Sequence, residues 1–298
     1  MPARSIEALT FFERRRFWCL LLARKGMRFR RMLDRSDFDE LLRSAFLHPI
    51  QGWDFSWLRE EGRYQEDPLP WVYSELVARR ARRSPDLLDL GTGGGERLAA
   101  ITPHPQLTVA TESYPPNVGI AARRLAPFGI DVVHVSSIPD NAGQGDVGLK
   151  GSLPFRDSSF HLVIDRNEAF VARDVARVLA PGGVFLTEQS GGSVTPEIYR
   201  LLGVEPPASR APDWNLDLAR KQLVAAGLHP FGSGEADFSM SFSDVGALAW
   251  YLTAVPWTFP GFSVERQRRR LERLHSRVLD QGPIRVPRYA FWLEAGKG

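Results

Sequence analysis

The chain has 298 residues, enough for a full hydrophobic core with additional helices, and its 43% hydrophobic and 24% charged content excludes wholesale disorder. The single cysteine, Cys19, excludes an internal disulfide framework and any multi-cysteine zinc site, so a cytoplasmic enzyme is the simple reading. Basic charge is concentrated in residues 1–35, with ten Lys/Arg against three acids. Residues 36–298 hold 28 basic and 32 acidic side chains, so no domain-wide basic face for nucleic acid is expected.

In the basic stretch, the apolar run Phe17-Trp-Cys-Leu-Leu-Leu-Ala23 is far shorter than the roughly 20 residues of a membrane span. Arg24-Lys25 follow it instead of a small-residue cleavage site. Residues 1–35 therefore read as a poorly ordered basic extension, with an amphipathic arm for an anionic surface as the alternative. Ser36-Asp-Phe-Asp39 resembles a capping box, and Phe38, Leu41, Leu42, Ala45 and Phe46 recur behind it at helical spacing. An aromatic loop, His48 to Trp57, leads to Pro68 and Pro70. These announce a helix from Trp71 to about Arg82 with Trp71, Val72, Leu76 and Val77 inward. Residues 36–83 are thus expected to form cap helices before a core over 84–235.

Leu87, Leu88 and Leu90 have strand character and break into Gly91, Gly93, Gly94 and Gly95, after which Glu96–Ile101 reads as a short helix. Glycines permit positive φ and remove Cβ atoms, so a ligand can lie against main-chain N–H groups there, although glycine turns also serve plain packing. A second strand, Leu107–Thr111, ends in Glu112, 21 residues past Gly91. A carboxylate at about that spacing accepts hydrogen bonds from ribose hydroxyls; as a local alternative it caps the next helix. Helix 116–125, strand 130–135, a flexible surface insertion at 140–148, strand residues up to Asp165, helix 168–179 and strand 184–188 follow. Strands alternating with helices imply a parallel sheet covered on both faces.

Residues 236–298 contain a strand at Phe238–Phe242, an apolar helix at Val245–Ala254, a basic helix at Ser263–Leu279 and a closing strand at Arg288–Glu294. The helix 245–254 is apolar all round and must be covered; it is core or a lid over a substrate, and the lid reading is preferred. The arginines of the basic helix read as a solvated face.

Leu88-Asp-Leu-Gly-Thr-Gly-Gly-Gly95, Glu112, Leu153-Pro-Phe-Arg-Asp-Ser-Ser-Phe160, Arg177-Val-Leu-Ala-Pro-Gly-Gly183 and Ala225-Ala-Gly227 together resemble a class I S-adenosylmethionine (AdoMet)-dependent methyltransferase of the small-molecule and quinone-ring group, methyltransferase type 11-like. The resemblance spans about residues 84–235. It implies a Rossmann-like doubly wound, mostly parallel seven-stranded sheet with an antiparallel last strand. It also implies AdoMet as cofactor and S-adenosylhomocysteine (AdoHcy) as product, with no metal. Asp89, Gly91, Thr92, Gly93 and Gly95 then face the methionine and ribose portions and Glu112 takes the ribose hydroxyls, with Ser113 and Ser137 completing the cofactor set. A dinucleotide-binding loop would require glycine where Glu96 stands.

Methyl transfer from a sulfonium is a direct displacement, so the protein chiefly aligns the reactants and excludes water. If the acceptor must lose a proton, Asp165 and Glu168 are candidate bases and Asn167 a candidate orienting group. Glu168 also reads as a first-turn helix acid. Trp53, Trp57, Arg166, Tyr251 and Trp257 are candidate acceptor contacts, with core packing as the alternative for the tryptophans. The acceptor is expected to be a small apolar or aromatic molecule and not nucleic acid. The alternatives are an rRNA or tRNA methyltransferase and a non-catalytic AdoMet-binding module.

Overall fold

The computed structural model describes residues 37–50, 54–136, 141, 153–192, 194–206, 214–256 and 258–298. The basic extension, Trp53, Ser137, Trp257 and the insertion other than Asn141 lie outside the described residues.

The strands are β1 (Tyr64–Glu66), β2 (Asp86–Leu90), β3 (Leu107–Glu112), β4 (Asp131–His134), β5 (Phe160–Arg166), β6 (Leu179–Ser190), β7 (Leu228–Phe242) and β8 (Ile284–Lys297). The helices used below are α1 (Phe38–Phe46), α2 (Ser56–Glu60), α3 (Tyr73–Ala81), α4 (Glu96–Ala100), α5 (Pro115–Leu125), α6 (Ala172–Val178), α7 (Val194–Leu201), α8 (Leu216–Ala225), α9 (Val245–Ala254) and α10 (Val264–Gln281).

The strands form one sheet in the order β1-β7-β8-β6-β5-β2-β3-β4. Strands β2 to β6 pair in parallel, whereas β8 is antiparallel to both β6 and β7, and β1 is antiparallel to β7. The sheet is thus eight-stranded and mixed where seven mostly parallel strands were expected. The extra strand, β1, has three residues, too few to show an alternating pattern. It adds to the free edge of the 15-residue β7 in the register Tyr64↔Phe242. Strand β7 starts at Leu228, ten residues before the expected strand, and β6 extends across Pro181-Gly-Gly183.

Period-two alternation in the central strands sorts their side chains onto two faces. Leu88, Val163 and Phe185 join Val175, Ala219 and Leu223 of α6 and α8 in one buried cluster. Leu87, Ile164 and Leu186 join Leu76, Val77, Leu98 and Leu125 of α3, α4 and α5 in another. Helices therefore cover both faces, as the alternation of elements predicts. Two positions depart from the predicted inner face: Val72 is exposed, and Phe46 is exposed at the end of α1. Asp37 precedes α1 and makes no side-chain cap bond, and Ser36 of the expected capping box lies outside the described residues.

A third cluster is built from α1, α9, α10 and the adjoining ends of β7 and β8. Nine of the ten residues of α9 are buried. A methyl group at Gly246 would lie 2.2 Å from the Leu41 carbonyl oxygen, so α1 and α9 pack backbone to backbone. The expected lid is therefore a core helix: its all-round apolarity is satisfied by α1, α10 and the sheet. The arginines Arg266, Arg269, Arg273 and Arg277 of α10 are exposed, with Leu271, Leu274 and Val278 buried beneath them.

Asp244 caps α9 through Ala247 N–H at 2.9 Å and receives both Arg63 Nη2 at 2.7 Å and Arg63 Nε at 2.9 Å. Both side chains are largely buried. Removing one partner strands the other charge in a low-dielectric site, which typically costs about 3–5 kcal/mol. Asp244→Ala is therefore expected to lower stability by about that amount in equilibrium urea unfolding, and a change below about 1 kcal/mol would contradict this reading.

Candidate functional site

The sheet runs outward from β2 through β3 to β4, then returns to place β5 on the other side of β2. Ligands in such open sheets bind beyond the carboxyl ends of the strands where the order reverses. Here that crevice lies between the segments following β2 and β5, and these carry Gly91–Gly95 and Arg166–Glu168 respectively.

The glycine loop takes its shape from backbone torsion and from β3. Gly91, Gly93 and Gly95 have φ of 64°, 65° and 81°, values that side chains bearing a Cβ rarely adopt. Thr92 N–H donates to the Thr111 carbonyl at 2.9 Å, and Gly91 N–H to Thr111 Oγ1 at 3.3 Å. Glu112 accepts from Gly93 N–H at 2.6 Å through one carboxylate oxygen and from Tyr114 N–H at 2.7 Å through the other. The last two residues of β3 thus pin the loop. Helix α4 behind the loop spans only Glu96–Ala100, so the cradle is made chiefly by the turn and little by a helix dipole.

Four carboxyl groups gather here. Burial pushes Asp89 up to about 7, opposed by the Thr92 hydroxyl and reinforced by the charges of Glu112 and Glu168. Burial also raises Glu112, offset in part by the backbone amides of Tyr114, Gly93 and Ser113. Burial drives Asp165 well above the usual carboxyl range. Its Oδ1 accepts from Thr187 Oγ1 at 2.9 Å and from Gln189 Nε2, and Oδ2 has no partner among the described residues. Fully enclosed, Asp165 belongs to a β5–β6 network rather than to the open crevice.

Glu168 stands at the opening. Its carboxylate accepts from Ser113 Oγ at 3.0 Å, and a methyl group at Gly91 would lie 2.5 Å from its Cβ. The Glu168 side chain therefore lies directly against the Gly91 backbone, an approach that only glycine at 91 permits. The helix expected from residue 168 starts at Ala172, so Glu168 belongs to the crossing segment and does not serve a helix first turn. Burial pushes Glu168 up to about 7, opposed by the Ser113 hydrogen bond and reinforced by the Glu112 charge. The folded state therefore holds an extra proton between the ordinary value of 4.5 and about 7. Stability from this group is fully present below the ordinary value and is lost as pH rises through about 7. Glu168→Gln is expected to flatten that decline in urea unfolding series at stepped pH, and an unchanged slope would rule out the raised carboxyl.

Asn167 has φ of 60°, an unusual value for a residue other than glycine. Its N–H donates to the Glu188 carbonyl at 2.9 Å, and its Oδ1 accepts from Ser190 N–H at 2.8 Å and Ser190 Oγ at 3.0 Å. Arg166 Nε donates to Glu188 Oε1 at 2.6 Å while Trp71 Nε1 donates to Oε2 at 2.7 Å. Arg166 and Asn167 are therefore held from the end of β6. Trp57 is elsewhere: it stacks on His48 at 3.9 Å and meets Trp250 edge-on at 5.3 Å. Tyr251 packs among Phe55, Tyr64 and Phe242 inside the third cluster.

Several contributors were not singled out from sequence. Gln189 joins Asp165, Thr187 and the Glu168 carbonyl, and it accepts from Asn141 at 3.2 Å. Asn141 also accepts from Phe170 N–H at 2.8 Å, so this residue of the expected surface insertion is buried. Polar residues at the end of β6, Thr187 to Ser190, were the available signal.

The crevice wall is largely apolar, with Leu90, Val135, Leu153, Phe170 and Val171 beside Gly91, Thr111 and Ser136. This apolar slot adjoins the positive-φ glycine loop, with Glu168 in its lining. Among the described residues no group of three or more His, Cys, Asp or Glu is arranged to hold a metal, and no helix is long and apolar enough to cross a membrane.

Sheet order and the glycine loop after β2 give a Rossmann-like α/β fold. No family model and no curated protein matches the chain. Among solved structures, it is similar to the YcgJ protein of Bacillus subtilis, with 18% identity over 76% of this chain and 97% of that one and a TM-score of 0.50. It is likewise similar to a methyltransferase candidate from Bacillus halodurans C-125, with 17% identity over 75% of this chain and 98% of that one and a TM-score of 0.52. At these identities the likeness is one of fold.

Proposed function

We propose that the chain transfers a methyl group from AdoMet to a small-molecule acceptor in the crevice between β2 and β5. The observation that carries this reading is Glu112, whose two oxygens each take one backbone amide and keep lone pairs for ribose hydroxyls beside the glycine loop. When bound, AdoMet supplies an electrophilic methyl on a sulfonium. Gly91, Thr92, Gly93 and Gly95 hold the main chain against it, with Asp89 behind the loop and Ser113 beside Glu168. Ser137 follows the cleft residue Ser136 in sequence and extends this set. Glu168 is assigned the proton: with a carboxyl near neutrality and an approach over Gly91, it accepts one from an acceptor that must ionise. Asn167 orients the acceptor from its fixed left-handed position. Asp165 acts indirectly, by holding the β5–β6 edge.

Calorimetric titration of the full chain tests the shared premise. Saturable one-to-one binding of both AdoMet and AdoHcy is expected, and heat-silent titrations confirmed by equilibrium dialysis would sink the assignment.

A further inference from the structure

The segment between β5 and α6 has no regular structure, yet Glu168, Ala169, Phe170 and Val171 form a continuous stretch of the crevice wall. Its backbone polar groups find no ladder within the segment and need partners from elsewhere. Two are met by a single side chain and the residue seated on it. Gln189 Nε2 donates to the Glu168 carbonyl at 3.1 Å, and Gln189 Oε1 accepts from Asn141 Nδ2 at 3.2 Å. Asn141 Oδ1 in turn accepts from Phe170 N–H at 2.8 Å, so the pair grips the main chain on both sides of Ala169.

The grip is itself fixed. Gln189 and Asn141 are buried, and Gln189 Nε2 also donates to Asp165 Oδ1. Thr187 Oγ1 lies 2.9 Å from Nε2 but gives its own proton to Asp165 Oδ1, so the two hydrogens of Nε2 go to Asp165 and to the Glu168 carbonyl. The reverse amide orientation would set Oε1 against two acceptors and Nε2 against the Asn141 donor, and only the observed one satisfies both ends. From the far side, Gln222 Nε2 of α8 donates to the Asn141 carbonyl at 2.7 Å. The half-buried Glu168 side chain springs from this held backbone, against Gly91 and 3.0 Å from Ser113 Oγ.

We infer that Gln189 and Asn141 are positioning residues, which clamp the main chain around Ala169 so that the Glu168 carboxyl stays in the crevice instead of turning out to solvent. This rests on the reading of Glu168 as the group that takes the acceptor's proton, and adds what holds it in place.

Carbon-13 NMR of the full chain, labelled at its glutamate carboxyls, follows Glu168 through a pH titration, with its resonance assigned from the Glu168→Gln spectrum. The carboxyls that act on it or feel its charge, Glu112, Asp89 and Asp165, are kept in both variants. Gln189→Met preserves side-chain volume and removes both ends of the clamp. Its Glu168 midpoint is expected to fall by about one pH unit or more as the carboxyl reaches water. Asn141→Ala removes the Phe170 partner and leaves the Asp165 hydrogen bonds intact, and it should shift the midpoint in the same direction by less. An unchanged midpoint in folded Gln189→Met would make Gln189 a packing residue and overturn the inference. A fall in Gln189→Met with none in Asn141→Ala would assign the effect to Asp165 and overturn it too. Should Gln189→Met not fold, Asn141→Ala decides alone. The methyltransferase reading fails separately, by absent AdoHcy binding in calorimetry, and the titration result stands whichever way that falls.

Discussion

Glu112→Gln is expected to weaken AdoHcy binding by about 10- to 100-fold and to lower stability at the same time. The substitution is nearly isosteric, so the loss comes from hydrogen bonding. Glu112 presents acceptors to two amides, Gly93 N–H and Tyr114 N–H. A carboxamide offers one acceptor and one donor, and the donor must face an amide N–H. Leaving a buried group unsatisfied costs about 1–3 kcal/mol, and tenfold in affinity corresponds to about 1.4 kcal/mol. Because Gly93 lies in the loop, the cost falls on the cradle's geometry. Calorimetry with AdoHcy, paired with urea unfolding, separates the two effects. Wild-type affinity in a folded Glu112→Gln protein would remove Glu112 from the site.

Trp250→Ala is expected to cost about 3–5 kcal/mol of stability, the range for deleting a fully buried tryptophan. Trp250 meets Phe55 at 5.8 Å and Trp57 at 5.3 Å between ring centroids, and its Nε1 donates to the His48 carbonyl at 3.0 Å. A lid helix would behave differently: truncation of one of its side chains would change stability by less than about 1 kcal/mol and act on turnover instead. Equilibrium urea unfolding decides between them, since a small stability change would restore the lid.

The two helix assignments that changed did so for a common reason. Helix 245–254 is apolar all round, and such a segment states that it must be covered without stating by what. Its cover is α1, some 200 residues earlier, with Trp250 reaching the His48 carbonyl across 202 positions. Glu168 was ambiguous between helix first turn and base because local pattern does not fix where a helix begins after a strand. The crossing segment Asn167 to Val171 places Glu168 over Gly91, and only the approach of β5 to β2 makes that visible.

From the sequence alone, the alternation of strands and helices, the positive-φ loop after Leu90 and the acid 21 residues beyond Gly91 were all legible. Each depends on chemistry within a few residues: short apolar runs buried on both faces, the torsional freedom of glycine, and a strand length that sets where Glu112 emerges. Tertiary structure decided the rest, including the eighth strand, the core role of α9, the Gln189 network and the Trp71–Glu188 contact. Those features join residues far apart in the chain, Trp71 to Glu188 across 117 positions and Arg288 to Glu66 across 222. Such pairs leave no periodic trace, because a hydrogen bond or ion pair requires only that two side chains meet in space.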